Sequence, residues 1–255
     1  MKFKFLGSAD SAGIPVHNCH CIACNEYREQ GITNLATCAV LEYNNKVILF
    51  DAGIENISNI LDGKKILAIC LTHFHPDHVL GLLRLRHSKD KINCYHPKDD
   101  LGFSDLFKHK KSINYIEHNA LNPIIMDGIK ITPIPLKHSK NTTGYIIETP
   151  SKSIAYLTDC AGIEEKYLKI LQTYHFDYVF LDAGLTPPQV GNHLNFESAS
   201  DLMDRLHVQN GYFMHQGHNT LTYIMKNKTT LKYPYLGIGA EFELPLQNTN
   251  KQYKS

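Results

Sequence analysis

The chain has 255 residues, with 26 Lys and Arg against 25 Asp and Glu and a formal net charge of +1. That balance excludes a polybasic nucleic-acid arm or an acidic tail as the main theme, and a hydrophobic fraction of 43% excludes a disordered chain. No apolar run nears the roughly 18–20 residues of a spanning helix, so a soluble cytoplasmic protein without membrane contact is expected.

Alternation over Met1–Phe5 predicts a first strand, Lys2–Leu6, whose apolar part is too short for a signal-peptide core. A glycine-containing loop follows, then a helix over Ala23–Gln30. Strands Cys38–Tyr43 and Lys46–Phe50 flank the turn pair Asn44-Asn45 and read as a hairpin. After a short helix at Ile57–Leu61, the continuous apolar run Ile66–Thr72 has the pattern of a central strand covered on both faces. A helix is predicted over His78–Arg86. Strands follow at Ile129–Pro135, Gly144–Thr149 and Ser153–Thr158, then a helix at Glu164–Tyr174 and a strand at Tyr178–Asp182. The helix Phe196–Leu206 opens after Asn195 with Glu197 in its first turn, and a last strand runs Tyr212–His215. Strands and helices mixed in this way predict a layered α/β domain with mixed sheets, spanning residues 1–246, before a polar tail at 247–255.

Fifteen histidines are the unusual component, and histidine is the commonest metal ligand. Four of the strongest candidates lie in Thr72-His73-Phe74-His75-Pro76-Asp77-His78, between an apolar strand and a helical pattern. His73 and His75 share one side of an extended backbone, and Pro76 stops the strand. Asp77 and His78 then face a second point nearby, so this run can serve two metal ions.

Cys19-His20-Cys21-Ile22-Ala23-Cys24 sets three thiols within six residues. Thiolates favour a soft tetrahedral metal, and a closed four-ligand set is structural. The fourth ligand is not local; His218, three after His215, is the candidate, with free thiols or a single disulfide as the competing reading. Seven cysteines, an odd number in a long chain, argue against a disulfide framework, and Cys38, Cys70, Cys94 and Cys160 read as core residues.

The histidine run resembles the HxHxDH signature of the metallo-β-lactamase superfamily. The resemblance implies a four-layer αββα sandwich of two mixed β-sheets with the metals at one sheet edge. It assigns His73 and His75 to one metal, Asp77 and His78 to the other, and Asp159 to a bridge. His138 and His215 complete the set, each near a predicted strand end. Phe50-Asp51-Ala52-Gly53 resembles the family's early Asp-Gly motif, and Asp51 is expected to support the histidine loop.

The thiol loop, the intact histidine motif and the late His215-Gln216-Gly217-His218 pair together resemble the phosphoribosyl cyclic phosphodiesterases of the carbon–phosphorus lyase pathway of phosphonate use. That likeness implies hydrolysis of 5-phosphoribosyl 1,2-cyclic phosphate to ribose 1,5-bisphosphate by a hydroxide held between two divalent metals. Manganese is favoured, with zinc or iron as alternatives, beside one structural zinc at the thiols. It places His193 as the acid that protonates the leaving oxygen, and it admits a homodimer. Lys140 and Lys108 are candidates for a second substrate phosphate. The alternatives are a tRNA 3′-processing nuclease, a thioester or lactone hydrolase, and a non-catalytic metal-binding accessory protein. The first would need a long arm and a basic face that the sequence does not carry, so a small molecule and no nucleic acid is the expected partner.

Overall fold

In a computed structural model of the protein, residues 1–100 and 103–245 are described here; the polar tail expected at 247–255 lies outside them. Six strands, β1 (Lys2–Gly7), β2 (Cys38–Tyr43), β3 (Lys46–Phe50), β4 (Lys65–Cys70), β5 (Ile92–His96) and β6 (Ile113–Glu117), run side by side in that order. Six more form a second sheet in the order β12-β11-β10-β9-β8-β7. They are β7 (Ile124–Met126), β8 (Ile129–Leu136), β9 (Thr142–Glu148), β10 (Ser153–Leu157), β11 (Tyr178–Asp182) and β12 (Gly211–Met214). The short β13 (Glu241–Glu243) extends the first sheet beside β1. Both sheets are mixed: β3 to β6 are parallel and β1, β2 and β3 antiparallel, while β10, β11 and β12 are parallel and β7 to β10 alternate.

Alternation along the strands builds the layers. Phe3, Phe5, Ala39, Leu41, Ile48 and Phe50 of the first sheet meet Ile131, Tyr145, Ile147, Tyr156 and Phe180 of the second in one buried cluster. Their outward neighbours bury against helices. Val40, Val47 and Leu49 pack on α2 (Ile57–Ile60), α3 (Pro76–Val79), α4 (Leu82–Leu85) and α5 (Ser104–Lys108). Ile146, Ala155, Leu157 and Val179 pack on α6 (Glu165–Leu171) and α7 (Phe196–Arg205). The period of two thus puts one row of each strand between the sheets and the other under helices. This is the four-layer αββα sandwich.

One predicted helix is divided. Where periodicity predicts a helix over His78–Arg86, α3 and α4 are separated at Gly81. The Gly81 amide donates to Ala52 O at 2.7 Å, and a β-carbon there would lie 2.5 Å from Ile54 O. The chain therefore turns onto the strand β3 exit instead of continuing the ladder. Strands β5, β6, β7 and β13 and helices α5 and α8 (His218–Asn227) lie where no element is predicted. β6, β7 and β13 are sheet edges, whose sequences need not alternate as strongly as strands flanked on both sides. The α1 helix (Ile22–Glu29) starts one residue earlier than predicted, with Cys21 as its N-cap.

Candidate metal centres and active-site pocket

The strands that carry the site end at one edge of the sandwich. His73 to His78 leave β4, His138 follows β8, Asp159 follows β10 and His215 follows β12. The Thr143 amide donates to Thr72 O at 2.9 Å and ties the two sheets at this edge. Asp51, Asp159 and His215 each sit just beyond a strand with φ of 58°, 54° and 61°. Left-handed backbone costs a non-glycine residue about 1–3 kcal/mol, so the surroundings must hold these three in place.

Two groups of side chains converge. His73, His75, His138 and Asp159 bring one ligand atom each to within 4.8 Å of one another, and Asp77, His78, Asp159 and His215 do the same. Asp159 is shared by its two oxygens. Oδ2 lies 3.5 Å from His73 Nε2 and 3.4 Å from His138 Nε2, while Oδ1 lies 3.2 Å from His78 Nε2 and 3.3 Å from His215 Nδ1. His73 Nε2 is 2.8 Å from His75 Nδ1. The arrangement fits divalent cations: His78 Nε2 and His215 Nδ1 are buried with no hydrogen-bond partner, and both point into carboxylate oxygens.

Burial, with charge on neighbouring imidazoles, holds His73 well below the usual histidine range and lowers His75. Burial lowers His138 as well. All three are thus held in the neutral form that ligates. Burial pushes His78 the same way, but the carboxylates of Asp159 and Asp51 outweigh it and raise that histidine well above its usual range. Burial would raise Asp159, yet His215 and His78 hold it far below the carboxylate range.

Asp51 supports the histidine loop. Its Oδ1 accepts the Thr72 amide at 2.7 Å and the Thr72 hydroxyl at 2.9 Å, and its Oδ2 lies 3.0 Å from His78 Nδ1. The Tyr156 hydroxyl donates to the same carboxylate at 3.3 Å. This fixes which nitrogen His78 turns to the site. The Asp51-Ala52-Gly53 turn passes so close to the loop that a β-carbon on Gly53 would fall 1.5 Å from Asp77 O, so only glycine fits there.

Above the two groups lies a cavity of about 510 Å³ lined by His75, Asp77, His138, Asp159, His215, His193 and neighbours that include Ser11, Ser139 and Asn192. His193 Nδ1 donates to Asp182 Oδ2 at 2.6 Å, and its ring stacks on His215 with centroids 4.6 Å apart. Asp182 is buried at the end of β11 and also accepts the amides of Cys160 (2.7 Å) and Gly184 (2.9 Å). Burial would lower His193, but the hydrogen bond and charge of Asp182 outweigh it and raise the imidazole to about 9. His138 Nδ1 donates to Asn192 O at 2.8 Å, which joins the His193 loop to the first group.

Sequence reasoning missed Asp182 as the partner of His193. The signal was present: Asp51, Asp159 and Asp182 each end or closely follow an apolar strand, and all three are buried. Neither lysine candidate lines the cavity. Lys140 pairs with Asp99 at 3.1 Å in a separate hollow beside Lys98, Asp100 and Asn141, and Lys108 is exposed on α5.

Cys19, Cys21, Cys24 and His218 form the third group, again with ligand atoms within 4.8 Å of one another. His218 Nδ1 lies 3.4 Å from Cys19 Sγ and 3.5 Å from Cys21 Sγ. Burial opposes ionisation of Cys21, but the polar groups beside it, His218 and the Cys24 amide among them, outweigh burial and bring its thiol down to about 6. Cys38, Cys70, Cys94 and Cys160 are fully buried in the strands or at their ends.

A sandwich of two mixed sheets thus gathers histidines and carboxylates where its strands end, in groups that could each hold a metal ion. The chain belongs to the β-lactamase superfamily: the family's domain matches residues 46–216. Among solved structures, it is similar to "a New Diphosphatase from the PhnP Family" at 26% identity and a TM-score of 0.78, over 96% of this chain and 98% of that one. The human short-form tRNase Z has the same fold, with a TM-score of 0.67 at 17% identity over 96% of this chain and all of that one. Ribonuclease Z of Salinispora arenicola is 28% identical over 128 residues, 44% of this chain and 41% of that protein. The matched segment thus spans under half the length of this ribonuclease Z. No helix among the described residues is long and apolar enough to cross a membrane.

Proposed function

We propose that this protein is a binuclear metal-dependent phosphodiesterase of small cyclic sugar phosphates, with 5-phosphoribosyl 1,2-cyclic phosphate as substrate and ribose 1,5-bisphosphate as product. The observation that carries the reading is His193. Its Nδ1 is committed to buried Asp182 at 2.6 Å, and the residue lines the same cavity as both ligand groups. Divalent cations, manganese by preference and zinc or iron otherwise, would be held by His73, His75 and His138, by Asp77, His78 and His215, and by Asp159 between them. When bound, they supply the positive charge that binds a phosphodiester and lowers the pKa of water.

The chain supplies the rest. Asp159 and Asp77 give the pocket a negative floor that only a cation-loaded state can offer to a phosphate. Asp182 fixes the His193 tautomer and favours its protonated form, so Nε2 carries the proton to be given away. Water is the nucleophile: its oxygen bonds to phosphorus in line as the bond to a ring oxygen breaks, its proton is lost to bulk solvent, and the leaving ring oxygen takes a proton from His193 Nε2. Ser11, Ser139 and Asn192 line the cavity with neutral hydrogen-bonding groups suited to sugar hydroxyls. The thiol group is built from residues other than those that line the cavity, and its three thiols and one imidazole would hold a structural zinc.

A second reading is hydrolysis of a diphosphate, favoured by the likeness to a diphosphatase over 96% of the chain. The same acid would protonate a phosphate leaving group less usefully, since that group needs little protonation. The test is a side-by-side rate measurement on a cyclic sugar phosphate, a diphosphate ester, a precursor tRNA and a thioester with metal-loaded protein. Fastest turnover of the cyclic sugar phosphate is expected. Faster turnover of the thioester or the tRNA would discard the proposal.

A further inference from the structure

The thiol group and the catalytic pocket are joined by four residues, His215-Gln216-Gly217-His218. His215 belongs to the second pocket group and His218 to the thiol group. Between them the Gln216 amide donates to Ser8 O at 3.0 Å, and its carbonyl accepts the Asp10 amide at 3.1 Å. The next residue along that N-terminal segment, Ser11, lines the pocket. His218 also starts α8, and Thr220 in its first turn donates to Gly184 O at 2.7 Å, beside Asp182. The anchor of His218 therefore sets where His215, Ser11 and the Asp182 turn stand.

Two of the three cysteines have the geometry of a redox pair. Cys21 and Cys24 form a Cys-X-X-Cys unit at the N-terminus of the eight-residue α1, with Cys21 as N-cap. The Cys24 amide donates to Cys21 Sγ at 3.5 Å, so the two sulfurs lie on one turn. Cys21 is half-buried and Cys24 is fully buried. An outer attacking sulfur backed by an inner resolving one is the order in which such pairs react. Outside the thiol group, Cys38, Cys70, Cys94 and Cys160 are wholly enclosed and have no such access, while Cys19 is half-buried beside His218.

We propose that Cys21 and Cys24 are an oxidation site that unlatches the active pocket: a hydroperoxide closes them to a disulfide, which frees His218 and with it His215. The Cys21 thiolate attacks the outer oxygen of the hydroperoxide. An S–O bond forms, the O–O bond breaks and hydroxide or alkoxide leaves. The Cys24 thiolate then attacks the sulfenic sulfur, the S–S bond forms and a second hydroxide leaves. Two thiolates lose two electrons in all, the peroxide gains them, and the zinc they held departs as a cation. With two of four ligands gone, Cys19 and His218 cannot keep a closed tetrahedral site.

The test uses the full chain, purified with its metals and titrated with hydrogen peroxide. Three quantities are read: zinc released to a chromophoric chelator, disulfides by peptide mapping, and hydrolysis of bis(p-nitrophenyl) phosphate. One zinc should leave as a Cys21–Cys24 disulfide forms, with Cys38, Cys70, Cys94 and Cys160 still reduced. Hydrolysis should fall roughly tenfold or more, since a misplacement of about 1 Å in a catalytic constellation costs on the order of 10²-fold. Dithiothreitol with zinc should restore both. Failure of the Cys21–Cys24 disulfide to form while zinc stays bound overturns the proposal. So does zinc release with hydrolysis and pocket metal content unchanged. Were the protein inactive on every phosphodiester, the disulfide map and loss of pocket metal would still decide the matter, separately from the reaction proposed above.

Discussion

The pocket and the thiol group bind through opposite constructions. The pocket collects ligands from the ends of four strands, and much of its set is braced by a further partner: Thr72 beside His73, Asp51 behind His78, and the Asn192 carbonyl behind His138. The thiol group draws three ligands from one loop and helix turn and a single ligand from far along the chain. A site on sheet ends has its geometry set by the hydrophobic sandwich beneath it, whereas a loop site needs its metal to close. Metal loss should therefore empty the pocket without disturbing the fold, but should loosen the thiol loop itself.

Asp159→Ala should break the pocket most severely, because both groups share that carboxylate. Hydrolysis should fall on the order of 10³-fold or more, the worth of several kcal/mol of charge stabilisation, with pocket metal lost and thiol zinc retained. Metal analysis beside a thermal melt checks this; a variant that keeps its pocket metals would separate the groups the geometry joins.

His193→Ala should keep its metals and lose roughly 10²–10⁴-fold in turnover of a cyclic sugar phosphate. The loss should shrink on a nitrophenyl ester, whose leaving group barely needs a proton. Equal losses on both substrates would remove His193 from proton transfer.

Asp182→Asn sharpens the same point through pH. With Asp182, His193 stays protonated up to about 9, so an acid role survives through neutral pH and fades above it. Without the carboxylate the imidazole returns toward its ordinary value near 6.5, and at pH 7.5 the protonated fraction drops roughly tenfold. The basic limb of the kcat profile should move down accordingly. A limb that stays in place would show that His193 does not act as the acid.

Cys21→Ser should have the clearest effect on stability, and its effect on chemistry should be the roughly tenfold loss of hydrolysis that release of the thiol zinc brings. A lost thiolate ligand worth about 2 kcal/mol lowers the melting temperature of a chain this size by roughly 4–8 °C. Unchanged melting and unchanged zinc content would mean that the thiol group binds no structural metal.

Local chemistry was legible before any tertiary structure. The spacing of His73, His75, Asp77 and His78 against an apolar strand, the hairpin at Asn44-Asn45 and the clustered thiols all follow from backbone period and ligand type, which act over a few residues. The inward and outward rows of the strands were legible for the same reason. Packing and sheet order decided what no short window holds. They divided the helix at Gly81 because its backbone had to meet Ala52, and they placed Asp182 behind His193 because β11 lies beside β10 and β12. They also drew Lys140 away to Asp99. The two oxygens of Asp159 divide between groups whose members are scattered from His73 to His215, and only the meeting of two sheets at one edge brings those atoms within ligand distance.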